Sequence, residues 1–159
     1  VRKLGLSALL VFLLTQEAQG APIFLYPGQN VDFGEALLNN ALLQGAVTIN
    51  PFTGAVARSN VTLITPAVGG TFVMEGNDLL PVILTVTAGA LACDATYVTP
   101  CTGTPTITVN HNSPGYITGN FCPKRPKCQD TVTVGGTFTY PANAQGRWTT
   151  TITIIANYQ

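Results

Sequence analysis

Four cysteines, one histidine and seven acids are the side chains of this 159-residue chain that could do chemistry. Cys93, Cys101, Cys122 and Cys128 allow three pairings, and sequence alone does not choose among them. The local bridges Cys93–Cys101 and Cys122–Cys128 are preferred, because each closes a short loop. A zinc site needs ligands within tetrahedral reach. The chain has no Cys-x-x-Cys and a single histidine, so no metal centre is expected. His111 lies in Val109-Asn110-His111-Asn112-Ser113-Pro114, a strand end running into a turn. No serine or cysteine motif accompanies it, so it reads as an exposed turn residue rather than a base.

The acids are no richer. Glu75 and Asp78 flank Gly76-Asn77 in an expected turn, and nothing holds them across a cleft as a glycosidase pair. Asn77-Asp78 offers too few oxygens for a calcium loop. The glycines scatter at turns and form no phosphate-binding loop. No catalytic residue and no cofactor are expected, and the chain reads as something other than an enzyme. One charged feature stands out. Cys122-Pro123-Lys124-Arg125-Pro126-Lys127-Cys128 concentrates basic charge in a loop that could grip an anionic glycan. Ordinary solvated charge is the favoured interpretation.

Composition narrows the class. Hydrophobic residues make up 46% and charged residues 9%, with a formal net charge of +0. That is far below the usual quarter of charged residues. Nothing in that balance suggests a nucleic-acid partner or a polybasic membrane anchor, and no nucleic-acid partner is expected. Low charge with abundant Thr, Val, Gly and Pro favours an exported all-β domain. The N-terminus agrees. Arg2 and Lys3 precede an apolar run from Leu4 to Leu14, too short to span a bilayer comfortably. Ala18-Gln19-Gly20 then supplies the small residues of a cleavage site. Residues 1–20 are therefore expected to be a secretory signal peptide. Without them five basic and six acidic residues remain, a net charge near −1. Export makes disulfides reasonable.

Short apolar-alternating runs separated by turn signals fill the rest. Strands are expected at Val31–Gly34, Ala46–Asn50, Val56–Ile64, Gly70–Glu75 and Val82–Thr87. More follow at Thr106–Asn110, Tyr116–Thr118, Thr131–Val134, Thr137–Tyr140 and Arg147–Tyr158. Gly135-Gly136 reads as a two-residue hairpin link. Glu35–Leu43 carries helix formers and predicts at most two helical turns. The chain is long enough for one domain with a core, and the strand spacing points to a β-sandwich.

The last strand is the most regular. Gly146, Trp148, Thr150, Ile152, Ile154, Ala156 and Tyr158 recur at every second position and share one face. Arg147, Thr149, Thr151, Thr153, Ile155 and Asn157 form the other, mostly polar face. An amphipathic strand with a free edge is a template for a second chain.

Gly146, fourteenth from the end, and penultimate Tyr158, with apolar alternation between them, resemble the C-terminal signature of pilin subunits assembled by the chaperone–usher pathway. The resemblance implies an immunoglobulin-like β-sandwich missing one strand, whose last strand borders a groove. It also implies partners: a periplasmic chaperone strand fills the groove first, and the N-terminal extension of a neighbouring copy replaces it at an outer-membrane usher. Main-chain bonds would give affinity and alternate side chains would give register. Val134–Gly146 and the Asn157-Tyr158-Gln159 end resemble a related bacterial family of secreted β-domains of unknown function. Asp32-Phe33-Gly34 and Gly45-Ala46-Val47-Thr48-Ile49 fit that family too. Ordinary pilins place their disulfide early, whereas all four cysteines here follow residue 90.

Three segments are thus expected: a signal peptide at 1–20, an extension at 21–30 and a sandwich at 31–159. The candidate donor residues are Ile23 and Leu25 on one face and Phe24, Tyr26 and Gly28 on the other, between Pro22 and Pro27. The expected function is a non-catalytic subunit of a bacterial surface fimbria built by donor-strand complementation. The alternative is a self-contained exported adhesin or glycan-binding domain, with recognition by the basic loop and by Tyr97 and Thr99.

Overall fold

The computed structural model describes residues 4–12, 22–77, 80–96, 99–113, 115, 121–124 and 127–159. The fold is all-β, as the alternating runs and turn residues require. The strands are β1 (Leu4–Phe12), β2 (Phe24–Pro27), β3 (Asp32–Leu38), β4 (Gly45–Ile49), β5 (Val56–Ser59), β6 (Val61–Leu63) and β7 (Gly70–Asn77). They continue with β8 (Val82–Ala88), β9 (Ala92–Cys93), β10 (Thr106–His111), β11 (Phe121–Lys124), β12 (Lys127–Tyr140) and β13 (Gly146–Tyr158).

Two sheets form a sandwich. The first runs β6-β3-β1-β13-β8, with β9 also on β13. The second runs β2-β7-β12-β4-β5, with β10 and β11 also on β12. The core is a layer of inward residues from both sheets. Phe33 and Ile152 and Ile154 of the first sheet are fully buried, as are Phe72, Met74 and Phe138 of the second. Phe138 lies 5.8 Å from Phe33 across the sandwich and meets Tyr140 edge-on at 4.7 Å. Burial pushes the Tyr140 hydroxyl far above its ordinary pKa, and the nearby Asp32 charge adds to the shift.

Three local expectations are corrected. Glu35–Leu43 is not helical: Glu35–Leu38 continues β3, and residues 39–44 form a turn. The two asparagines decide this. Asn40 accepts the Leu42 N–H through its side chain, a bond that competes with helix. Asn60 then donates its side-chain amide to the carbonyls of Asn40, Leu43 and Gln44. Leu42 and Leu43 are left exposed.

Val56–Ile64 is not one strand. Asn60 adopts a φ of 53° between β5 and β6. The chain crosses there from the second sheet, where β5 pairs with β4, to the first, where β6 pairs with β3.

Gly135-Gly136 is not a hairpin. It lies inside the 14-residue β12. Residues 127–134 of β12 pair with β7, and residues 136–140 pair with β4. β10 crowds the same stretch from the opposite edge. A Cβ at Gly135 would collide with the Ile49 carbonyl, and one at Gly136 with the Thr108 carbonyl. Glycine serves here to let three backbones close on one another. The expected strand at Tyr116–Thr118 lies outside the described residues.

Candidate strand-acceptor slot

The alternating face of β13 is the inner face of the first sheet. Gly146, Thr150, Ile152, Ile154 and Ala156 are buried, and Trp148 and Tyr158 are half-buried and packed on the core. Arg147 on the opposite face is exposed. The hydroxyl of buried Thr150 donates to the Gly89 carbonyl at 2.8 Å, so its burial is compensated.

Both margins of β13 are occupied. On one side lie β8, from Ile152↔Ala88 to Tyr158↔Val82, and β9, at Trp148↔Cys93 and Thr149↔Ala92. On the other side lies β1, parallel to β13 over nine pairs from Leu4↔Gly146 to Phe12↔Ile154. β1 also pairs antiparallel with β3, from Leu4↔Ala36 to Ser7↔Asp32. Over Gly146–Ile154 the side of β13 that faces β3 is therefore occupied among the described residues. The groove expected beside it is a slot between β3 and β13, and the chain's own residues 4–12 fill it. Those residues belong to the segment expected to be a signal peptide.

The two walls are built differently. β3 carries an irregularity where β1 passes from Leu6 to Ser7. Gly34 has a φ of 75° there, and its N–H donates to the Asp32 carboxylate at 2.8 Å. A Cβ on Gly34 would strike the Thr65 carbonyl. Asp32-Phe33-Gly34 thus makes a bulge that turns Phe33 into the core. Sequence reasoning placed a strand at Val31–Gly34 and noted Asp32-Phe33-Gly34, but it assigned no site residue to this wall.

The wall at β13 is clamped at both ends. At its start, Gly146 has a φ of 98°, and an added Cβ would lie 2.6 Å from Cys101 Cα. The Cys93–Cys101 disulfide, with Cα atoms 5.9 Å apart, folds its loop onto that glycine. Thr102 and Gln145 exchange backbone bonds beside it. Asp94 accepts bonds from the side chain and backbone of Thr96, which hold its carboxyl below the usual range, and nearby Arg147 adds to this. Its contact with Arg147, at 3.7 Å, is an exposed ion pair of little energetic weight. At the far end, the Tyr158 hydroxyl accepts the Asn77 N–H of β7 at 2.7 Å. That bond fastens the last strand to the opposite sheet.

The candidate donor residues sit elsewhere. β2 is the edge strand of the second sheet, antiparallel to β7 from Phe24↔Glu75 to Pro27↔Phe72. Ile23 is buried in the core and Leu25 packs against it, while Tyr26 is exposed. Phe24 stacks on Tyr26 with centroids 6.4 Å apart. Gly28 lies so close to Thr71 that a Cβ would meet its Oγ1 at 2.6 Å.

The remaining candidates are not drawn to the slot. Both ring nitrogens of His111 are engaged. Nδ1 accepts the Ser113 N–H, so Nε2 donates to the Leu84 carbonyl at 3.1 Å. His111 thereby stitches β10 to β8. Glu75 accepts a bond from Gln129. Cys128 is disulfide-bonded; the Cys122 side chain, the basic side chains beside it, Asp78 and Tyr97 lie outside the described residues. A recess of about 420 Å³ opens between β4 and β10, floored by Gly136 and lined by Thr48, Thr108, Asn110 and Thr137, with exposed Phe52 at its rim.

With both walls in place, comparison with known proteins decides the family. A family model described as a domain of unknown function, DUF4402, matches residues 25–158. The chain belongs to the DUF4402 family. The DUF4402 match begins within β2 and ends at Tyr158, so it takes in both walls of the slot and leaves out β1. No curated protein matches the chain.

Proposed function

We propose that this DUF4402 chain is a non-catalytic structural subunit of a bacterial surface fimbria or pilus, assembled by donor-strand complementation. The supporting observation is that β3 and β13 are bridged by residues 4–12, which belong to the apolar run between the basic Arg2-Lys3 and the small-residue exit Ala18-Gln19-Gly20 of a leader. Cleavage after Gly20 removes that bridge and leaves two strand edges facing a vacancy. An unpaired edge beside an apolar core is costly, because its N–H and C=O groups lose their partners. A strand from another polypeptide restores them. A periplasmic chaperone and an outer-membrane usher are the partners such an assembly needs.

The test is the mass of the protein recovered from the cell surface. The proposal requires a chain starting at Ala21 that is bound to another polypeptide. A surface protein that keeps residues 1–20 and runs as a bare monomer contradicts it.

A second reading is a self-contained adhesin that keeps β1 and binds a neutral glycan. The Gly136-floored recess favours it, since an exposed ring beside hydroxyl and amide groups suits a sugar. Phe52→Ala abolishing retention on glycan-coated beads, in a protein that keeps residues 1–20, would select this reading.

A further inference from the structure

We infer that the mature chain accepts a strand in its slot but does not donate one, so the slot is filled by a different polypeptide rather than by a second copy. This rests on the leader being removed, as proposed above. Its basis is the placement of β2. Residues 23–29 are built into the chain's own second sheet. β2 makes four register pairs with β7, Gly28 N–H donates to the Thr71 carbonyl at 3.0 Å, and Thr71 N–H donates to the Gln29 carbonyl at 2.8 Å. Gln29 N–H adds a bond to the Thr71 hydroxyl. Ile23, just ahead of β2, is 5% exposed and belongs to the core.

Length decides the matter. Cleavage after Gly20 leaves Ala21, Pro22 and Ile23 ahead of β2. Three residues reach about 10 Å at full extension. The strand that fills the slot is nine residues long, or about 30 Å. Donation would require β2 to leave β7, exposing Ile23 and freeing the β7 edge. The released segment would still carry Pro22 and Pro27, neither of which has an N–H for an inner strand. A head-to-tail filament needs both a slot and a free donor on each unit. With a slot and no free N-terminal donor among the described residues, this chain ends a filament or caps another protein. The occupant is an apolar extended segment of a different polypeptide, antiparallel to β3 and parallel to β13, as β1 is.

The experiment uses protein exported with its own leader. Tyr26→Cys with Val73→Cys staples β2 to β7 at register partners. Titration with a peptide of residues 4–12 and one of residues 21–30 is followed by melting temperature, and size by chromatography. The expected result is that wild type and stapled protein take up the 4–12 peptide within twofold of each other, that a hundredfold excess of the 21–30 peptide does not shift the melt, and that neither protein forms homopolymers. Homopolymers that the staple abolishes and reductant restores would overturn the inference. So would uptake of the 21–30 peptide by unmodified protein, a readout independent of whether the stapled variant folds. If neither peptide shifts the melt, the slot proposal itself fails and the inference falls with it.

Discussion

The two N-terminal strands, β1 and β2, are both apolar, yet they hold opposite positions. β1 stands inside a sheet with a strand on each side. β2 lies at the end of the other sheet's strand order, paired with β7. Removing an interior strand opens a sheet along two edges, whereas removing an edge strand exposes one. The family match respects this difference, beginning in β2 and passing over β1. The strand least replaceable in the finished sheet is the one outside the shared domain. That mismatch is what a fold completed by a separate strand would produce.

Substitutions can break or sharpen the contrast. The largest effect is expected from Ile154→Asp. Ile154 is fully buried opposite Phe12 of β1, and an unpaired charge there costs more than about 4 kcal/mol. A thermal melt should show no cooperative transition, with or without an added strand. Ile23→Ala should cost about 2 kcal/mol by chemical denaturation, with slot occupancy unchanged. A loss of occupancy would tie β2 to the slot and erase the contrast. Gly146→Ala should cost about 1–3 kcal/mol, because φ is positive and Cys101 blocks the Cβ. Reducing the Cys93–Cys101 bridge should relieve part of that cost. The smallest effect belongs to Tyr158→Phe, which removes one cross-sheet hydrogen bond and should cost about 1 kcal/mol at unchanged β13 register by amide exchange.

The sequence revealed the wall at β13 because one of its faces is core and the other is not, so its period of two survives. The Cys93–Cys101 bridge was legible because eight residues separate its partners. Three features were hidden for physical reasons. In β1, the alternation of Leu4, Leu6 and Ala8 with Gly5 and Ser7 dissolves into the apolar run Leu9–Phe12, and an interior strand and a leader's apolar run are indistinguishable by composition. In β12, Gly135-Gly136 carries a turn signal that tertiary contact overrides, because β4 and β10 must approach the backbone there. In β3, Glu35–Leu43 has helical propensity, but pairing with β1 and β6 and the Asn40–Asn60 bonds outweigh it. The slot needed both walls, and the one at β3 was read only as far as Gly34, with the rest of that strand taken for helix.

The most direct test of the central claim is the melting temperature of the chain without residues 1–20, freed of bound polypeptide, with and without a peptide of residues 4–12. A slot awaiting a strand predicts a rise of several degrees that grows with peptide concentration. An unchanged melt at saturating peptide, in a protein already stable alone, would contradict the account.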